Sequence, residues 1–195
     1  MKAKTRVAVF ASGNGTNAEE IFKYFKSHDT IEVGLLLSNK ADAYVLERAK
    51  KAGISKHVFN RVDFKDPDGV LNLLQENQID FIVLAGFLWL MPPHIVEAYP
   101  DRIINIHPAL LPKHGGKGMY GTAVHQAVKS AGDKETGITI HFVNERYDEG
   151  AIIFQAKCNV EPQDDPNGIA QKVHQLEYRH YPQVIEATIR KTNQN

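Results

Sequence analysis

Two stretches of the chain, Val7-Ala8-Val9-Phe10 and Phe81-Ile82-Val83-Leu84-Ala85, are apolar at every position. A strand with one wet face would alternate, so runs of this kind belong inside a sheet covered on both sides. Segments with helical spacing separate the strands: Ile21, Phe22 and Phe25 follow the first run, and Tyr44, Val45, Leu46 and Ala49 follow a second strand at Ile31 to Leu37. Asp42 is the expected N-cap of that second helix and Gly53 its end. Val58-Phe59 reads as a short third strand, and Asp66-Pro67 as the start of a helix carrying Val70, Leu71, Leu73 and Leu74. This alternation predicts an α/β fold with a single-domain, open, mostly parallel twisted sheet, right-handed crossovers, and ligands beyond the carboxyl ends of the strands.

The C-terminal part has a different rhythm. Thr122 to Val128 reads as helix, and Thr136 to Val143 alternates as an antiparallel or edge strand does. Ala151 to Ala156 returns after Asn144 to Gly150, so an antiparallel C-terminal hairpin with an acidic tip is expected. Asp165 caps a last helical region with Ile169, Val173, Leu176 and His180 in one stripe, which Pro182 is expected to kink or break.

With 195 residues, 43% of them hydrophobic, the chain can bury one continuous core, and a single domain over residues 1–195 is expected. Lys plus Arg and Asp plus Glu number 23 each, so no net field attracts nucleic acid or an acidic membrane. An anionic ligand must therefore be held locally. Behind the basic start from Met1 to Arg6, the apolar run Val7 to Ala11 is too short for a secretion signal, and no stretch has the length of a membrane span. A cytoplasmic protein without nucleic-acid or membrane partners is expected, with no metal site and no role for its one cysteine, Cys158.

Three glycine-bearing strand ends should converge: Ser12 to Asn17, Gly86 to Met91, and Asn105 to Gly121. The first, Ser12-Gly13-Asn14-Gly15-Thr16-Asn17, leads from strand to helix, where unpaired backbone N–H groups can receive a phosphate; an ordinary capped turn has the same composition. It matches neither the dinucleotide fingerprint nor the phosphate-loop lysine motif, because Ala18 and Glu19 stand where glycine or lysine is needed. In the second, Leu88-Trp89-Leu90-Met91 suits either core packing or a slot for a flat heterocycle. In the third, Ile103 to His107 is a strand stopped by Pro108, with Asn105 and His107 on one face. An amide and an imidazole projecting together can polarise a carbonyl and move a proton. A core histidine bonded to a backbone carbonyl is the plainer reading, but the long loop of prolines and glycines that follows favours a site. A carboxylate partner for that histidine is available at the hairpin tip from Glu145, Asp148 or Glu149, and spacing does not choose among them.

The motifs Ser-Gly-Asn-Gly-Thr-Asn at 12–17, Asn-Ile-His-Pro-Ala-Leu-Leu-Pro-Lys at 105–113 and Tyr-Asp-Glu-Gly at 147–150 closely resemble the phosphoribosylglycinamide formyltransferases, within the folate-dependent formyltransferase superfamily. Ser38 to Ala43 and Val83 to Phe87 extend the resemblance over essentially the whole chain. It implies a Rossmann-like formyltransferase fold and 10-formyltetrahydrofolate as co-substrate. The formyl group would pass to the primary amine of glycinamide ribonucleotide in purine biosynthesis, in a monomer or homodimer. By the resemblance, Asn105, His107 and Asp148 are catalytic, with Asp148 orienting His107 and raising its pKa. Gly15, Thr16 and Asn17 would hold the substrate phosphate and Glu177 its amine end. Leu88, Trp89, Leu90 and Met91, together with Asn105 and Asn144 to Asp148, would line the folate site. The chain departs from some relatives at Trp89, where they carry arginine, in a shortened segment around Phe64-Lys65, and in the loop Gly115 to Gly121, where Lys117 either reaches the phosphate or stays solvated. Formylation of initiator methionyl-tRNA and hydrolysis of formyltetrahydrofolate are the related alternatives; each is expected to need a further domain. A noncatalytic folate- or nucleotide-binding module would keep the glycine turn without needing the Asn105, His107 and Asp148 set.

Overall fold

A computed structural model describes residues 4–194; Met1 to Ala3 of the basic start, and Asn195, lie outside the described residues. The first apolar run forms β1 (Thr5–Phe10), followed by α1 (Thr16–Phe25), β2 (Ile31–Ser38), α2 (Val45–Ala52), β3 (Lys56–Val58), α3 (Arg61–Lys65), α4 (Val70–Glu76) and β4 (Phe81–Leu84). Then come α5 (Pro93–Ala98), β5 (Ile103–His107), α6 (Thr122–Ala131), β6 (Glu135–Phe142), β7 (Ile152–Asn159) and α7 (Pro166–Thr192). The strands make one sheet in the order β3-β2-β1-β4-β5-β6-β7. Pairings from β3 through β5 are parallel, and β6 and β7 add antiparallel. The alternating strand β6 therefore lies inside the sheet, and β7 is the edge. From β1 the chain moves outward through β2 to β3, then crosses back to β4 on the other side of β1. Strand order reverses there, which leaves a crevice at the carboxyl ends of β1 and β4.

Strand alternation divides the core between two faces. Val7 and Val9 pack with Ile21 of α1, Val45 of α2 and Ile185 of α7, whereas Ala8 and Phe10 pack with Phe64 of α3, Leu74 of α4 and Ile95 of α5. On β5 the same rule sends Ile104 and Ile106 to the first face and Ile103 to the second. Asn105 and His107 go with Ile103, on the face the sequence assigns them.

Several boundaries differ from the sequence expectation. Asp42 does not cap α2; the helix starts at Val45, whose N–H donates to the Gly13 carbonyl at 3.1 Å, so a tertiary contact sets its first turn. Asp66 closes α3, its N–H donating to the Val62 carbonyl, and α4 begins after Gly69. Helix α3 carries a capping box in Asn60 and Asp63, each side chain accepting from the other's backbone N–H. Helix α5 begins at Pro93, a residue suited to a first helical turn. The third strand lies at Lys56–Val58, leaving Phe59 in the core at 3% exposure. Helix α7 continues through Pro182 for 27 residues. Its buried stripe is Ile169, Val173, Glu177, Tyr181, Ile185 and Ile189, one residue every four, while Leu176 and His180 sit half-buried beside it. Apolar packing on both sides of the proline keeps the helix on the sheet although the Tyr178 carbonyl loses its in-helix donor.

The fully buried Tyr181 hydroxyl donates to the Leu84 carbonyl at 2.8 Å and lies 3.4 Å from that of Ile104, which pins α7 to the last residue of β4 and to the first half of β5. Tyr181→Phe is expected to lower the unfolding free energy in urea by about 1 kcal/mol, the net worth of one buried hydrogen bond. Tyr181→Ala should cost roughly 3–5 kcal/mol because it also opens a cavity. Equal losses in the two variants would mean that the hydroxyl, not the ring, carries the anchoring.

Candidate active site

A cleft of about 870 Å3 opens at the carboxyl ends of β1, β4 and β5, where the three glycine-bearing segments meet. One wall is the turn after β1. Gly15 has φ 75°, and a Cβ there would lie 2.3 Å from Val45 Cγ2, so only glycine lets α2 pack this closely. Ser12 ties the turn to the second segment by accepting the Leu88 N–H at 3.1 Å and donating its own N–H to the Gly86 carbonyl at 3.0 Å. Thr16 and Asn17 line the cleft, and the Asn17 amide donates to Glu177 Oε2 at 2.9 Å. Glu177 is 5% exposed, and burial pushes its carboxyl up to about 7, against the hydrogen bond from Asn17. Asn17 Oδ1 is buried without a protein donor.

The segment after β4 lies between core and cleft. Met91 is 1% exposed, with its side chain in the second-face core, whereas Leu88 and Trp89 are half-buried and Leu90 is 37% exposed. Trp89 rests edge-on against Phe59, with ring centroids 6.0 Å apart, and tilted against Phe64 at 5.7 Å. The Arg61 guanidinium lies over its ring at 4.6 Å. All four residues of the tetrapeptide line the cleft, with Met91 buried in the core and Trp89 packed against its aromatic rings, so one segment serves both core and slot.

Asn105, His107 and Asp148 come together on the opposite wall. His107 is 3% exposed; its Nε2–H donates to the His114 carbonyl at 2.8 Å, and its Nδ1 lies 3.5 Å from Asp148 Oδ2. Asp148 has φ 58° and also accepts the Gly116 N–H at 2.9 Å, so it fixes the glycine loop while standing beside the imidazole. The turn between His107 and that loop is stapled to β6: Thr139 Oγ1 donates to the Ala109 carbonyl and accepts the Leu111 N–H.

Electrostatics changes one expectation. Burial pushes the His107 imidazole below its ordinary value, and Asp148, which pulls it up, does not outweigh burial. The neutral ring is therefore the form present at pH 7. Burial raises Asp148 too, but His141, His107 and the Gly116 N–H together hold it below the usual carboxylate range.

Sequence reasoning missed His141. It is the cross-strand partner of Asn105, 2% exposed, and its Nδ1–H donates to the Phe142 carbonyl at 2.7 Å. Its Nε2 is thus free to accept from the Asn105 amide nitrogen, 3.2 Å away, and lies 3.7 Å from Asp148 Oδ1. That contact selects the amide orientation of Asn105 with nitrogen toward His141 and leaves its second N–H for a ligand. The alternation of Thr139 and His141 was visible; the register against β5 was not. Two further histidines, His125 and His174, also line the cleft. Asn144 does not line it, and its Oδ1 accepts the Arg146 N–H to shape the hairpin tip. Among the described residues no group of three or more His, Cys, Asp or Glu could hold a metal ion.

The formyl transferase family model matches residues 5–185. The chain is 40% identical over 186 residues to phosphoribosylglycinamide formyltransferase of Haemophilus influenzae, covering 93% of this chain and 85% of the relative. It is 40% identical over 190 residues to the chloroplastic enzyme of that name from Arabidopsis thaliana, covering 94% of this chain but 65% of the relative's length. Among solved structures, that of phosphoribosylglycinamide formyltransferase from Bacillus halodurans superposes with a TM-score of 0.86 at 38% identity, covering 96% of each chain. The chain belongs to the formyl transferase family, alongside the phosphoribosylglycinamide formyltransferases.

Proposed function

We propose that this chain transfers the formyl group of 10-formyltetrahydrofolate to the primary amine of N1-(5-phospho-D-ribosyl)glycinamide, giving the N-formyl product and tetrahydrofolate in purine biosynthesis. The observation that carries the reading is the meeting, in one cleft, of Asn105, His107 and Asp148 with the glycine turn and Glu177. Relatives named phosphoribosylglycinamide formyltransferase support the acceptor, and the family supports a formyl folate as donor. No helix of the described residues is long and apolar enough to cross a membrane. A single domain acting in the cytoplasm, as monomer or homodimer, accords with this reading.

The chemistry asks three things of the protein. An oxyanion forms when the amine attacks the formyl carbon, and the free N–H of Asn105, oriented by His141, donates to it. A proton must leave the amine and reach the folate N10. His107, neutral at pH 7 because it is buried, takes that proton, and Asp148 stabilises the imidazolium until it is passed on. Finally, two substrates must be held in contact. The glycine turn, with Gly15, Thr16 and Asn17, receives the phosphate at the start of α1, and Leu88, Trp89 and Leu90 with the backbone at Met91 line the opposite slot for the pterin. Glu177 receives the glycinamide end, where a cation or hydroxyl donor offsets the cost of its buried charge.

Tetrahydrofolate formation, followed by absorbance, should require glycinamide ribonucleotide; signal without the acceptor would point to hydrolysis instead. His107→Ala and Asp148→Asn should each lower turnover by orders of magnitude, roughly 10²–10⁴-fold, with folate binding largely kept. The acid limb of kcat/KM for the wild type should fall below 6.5, activity being lost as pH drops through the lowered imidazole value, and should move lower still in the residual activity of Asp148→Asn. Near wild-type turnover in both variants would overturn the assigned roles.

Glu177 yields a separate expectation. Its carboxyl, raised from 4.5 to about 7, binds more proton folded than unfolded between those values, so its contribution to stability declines as pH rises from 4.5 to 7. Glu177→Gln removes that burden. It should stabilise the ligand-free protein at pH 8 by up to about 3 kcal/mol, with little gain at pH 4.5, while weakening acceptor binding. Urea unfolding at the two pH values measures this; a variant less stable at pH 8 would contradict it.

A further inference from the structure

The His107 ring is held from behind by a chain of contacts that the formyl-transfer roles leave unused. Its Nε2–H donates to the main-chain carbonyl of His114, a residue with φ 54°. The backbone there is left-handed, a conformation that a non-glycine side chain adopts at some cost unless something holds it. What holds it is the far end of the same residue: His114 Nε2 lies 2.7 Å from Asp133 Oδ2, just beyond α6. Lys113 Nζ approaches the other oxygen, Oδ1, at 3.0 Å. Both carboxylate oxygens are thus used, and both anchored residues belong to the turn between β5 and the glycine loop. Two residues on, the Gly116 N–H reaches Asp148. The turn therefore offers a carbonyl to His107 and an N–H to Asp148, and its aim depends on where Asp133 fixes it.

We infer that Asp133 and His114 are positioning residues for His107: their side-chain contact fixes the carbonyl that selects the Nε2–H tautomer of the catalytic ring and turns Nδ1 toward Asp148. The inference rests on the formyl-transfer reading, since it gives Asp133 a part in the turnover of His107. Titratable groups facing the His107 ring are Asp148 from the β6–β7 connection, His141 from β6, His125 from α6 and His114 itself. Asp133 acts through His114 and touches no reacting atom. Surface ion pairs contribute little to stability in general, so the anchor's worth lies in geometry rather than in folding energy. An error of about 1 Å at a catalytic group can cost on the order of 100-fold in rate, whereas substrate binding elsewhere in the cleft is left alone.

The test uses the full chain with Asp133→Ala and Asp133→Asn, whose amide oxygen still accepts from His114. Asp133→Ala should lower kcat about tenfold with KM for donor and acceptor within about twofold, and Asp133→Asn should restore most of the rate. Long-range proton–nitrogen spectra of the imidazoles, assigned with His107→Ala, should show His107 protonated at Nε2 in the wild type, with that signature lost in Asp133→Ala and kept in Asp133→Asn. A wild-type ring protonated at Nδ1, or kcat within twofold of wild type in Asp133→Ala, would overturn the inference, as would equal losses in both variants tracking an equal fall in melting temperature. The spectra are read without turnover. A wild type inactive in formyl transfer whose His107 signature still follows Asp133 would sink the functional reading and leave the positioning intact.

Discussion

The site depends on one mostly buried carboxylate. Asp148 has a side chain 11% exposed and stands between two imidazoles, with His107 Nδ1 3.5 Å from one oxygen and His141 Nε2 3.7 Å from the other. It also accepts the Gly116 N–H and so fixes the glycine loop. Unit charges 4 Å apart at an effective dielectric of 20 attract by about 4 kcal/mol, comparable with the cost of charging a buried ring. Burial outweighs that attraction and leaves His107 neutral, able to take a proton. Once that proton arrives, the same carboxylate opposes burial and lets the imidazolium persist long enough to pass it on.

Why these groups meet where they do follows from the sheet. The strand order reverses between β1 and β4, and the crevice this leaves is flanked by the turn after β1, the segment after β4 and the end of β5. Addition of β6 and β7 in the antiparallel sense brings His141 opposite Asn105 and carries the hairpin tip with Asp148 back over the strand end. A parallel addition would have needed a crossover and sent the tip elsewhere. Helix α7 closes the other side, with the Tyr181 hydroxyl on the Leu84 carbonyl and Glu177 one helical turn before it, facing Asn17.

Much of this was legible in the residues. The unalternating strands, the glycine turn, and the sharing of one face by Asn105 and His107 follow from local periodicity, which acts within a few residues and needs no knowledge of the rest of the chain. Errors fell where a tertiary contact overrides a local signal. Asp42 and Asp66 are good caps by type, yet α2 starts where Gly13 offers a carbonyl, and Asp66 ends a helix whose cap is Asn60. Pro182 is a strong breaker in isolation, but α7 is held on the sheet on both sides of it. The expected rise in the His107 pKa counted the carboxylate and left out burial, which the order of residues does not reveal.

The sequence by itself determined the fold class, the positions of the strand ends, and, through motifs 12–17, 105–113 and 147–150, the family to which the chain belongs. These depend on side-chain period, on glycine and proline chemistry, and on short motifs, all written in consecutive residues. Only the tertiary structure decided that His141 orients Asn105, that Met91 is buried in the core while Trp89 stays half-buried against it, that Glu177 is a buried carboxyl beside Asn17, and that Asp133 stands behind His114. Each of these depends on strand register, on burial, or on a contact between residues far apart in the chain, and such distances are fixed when the whole core packs.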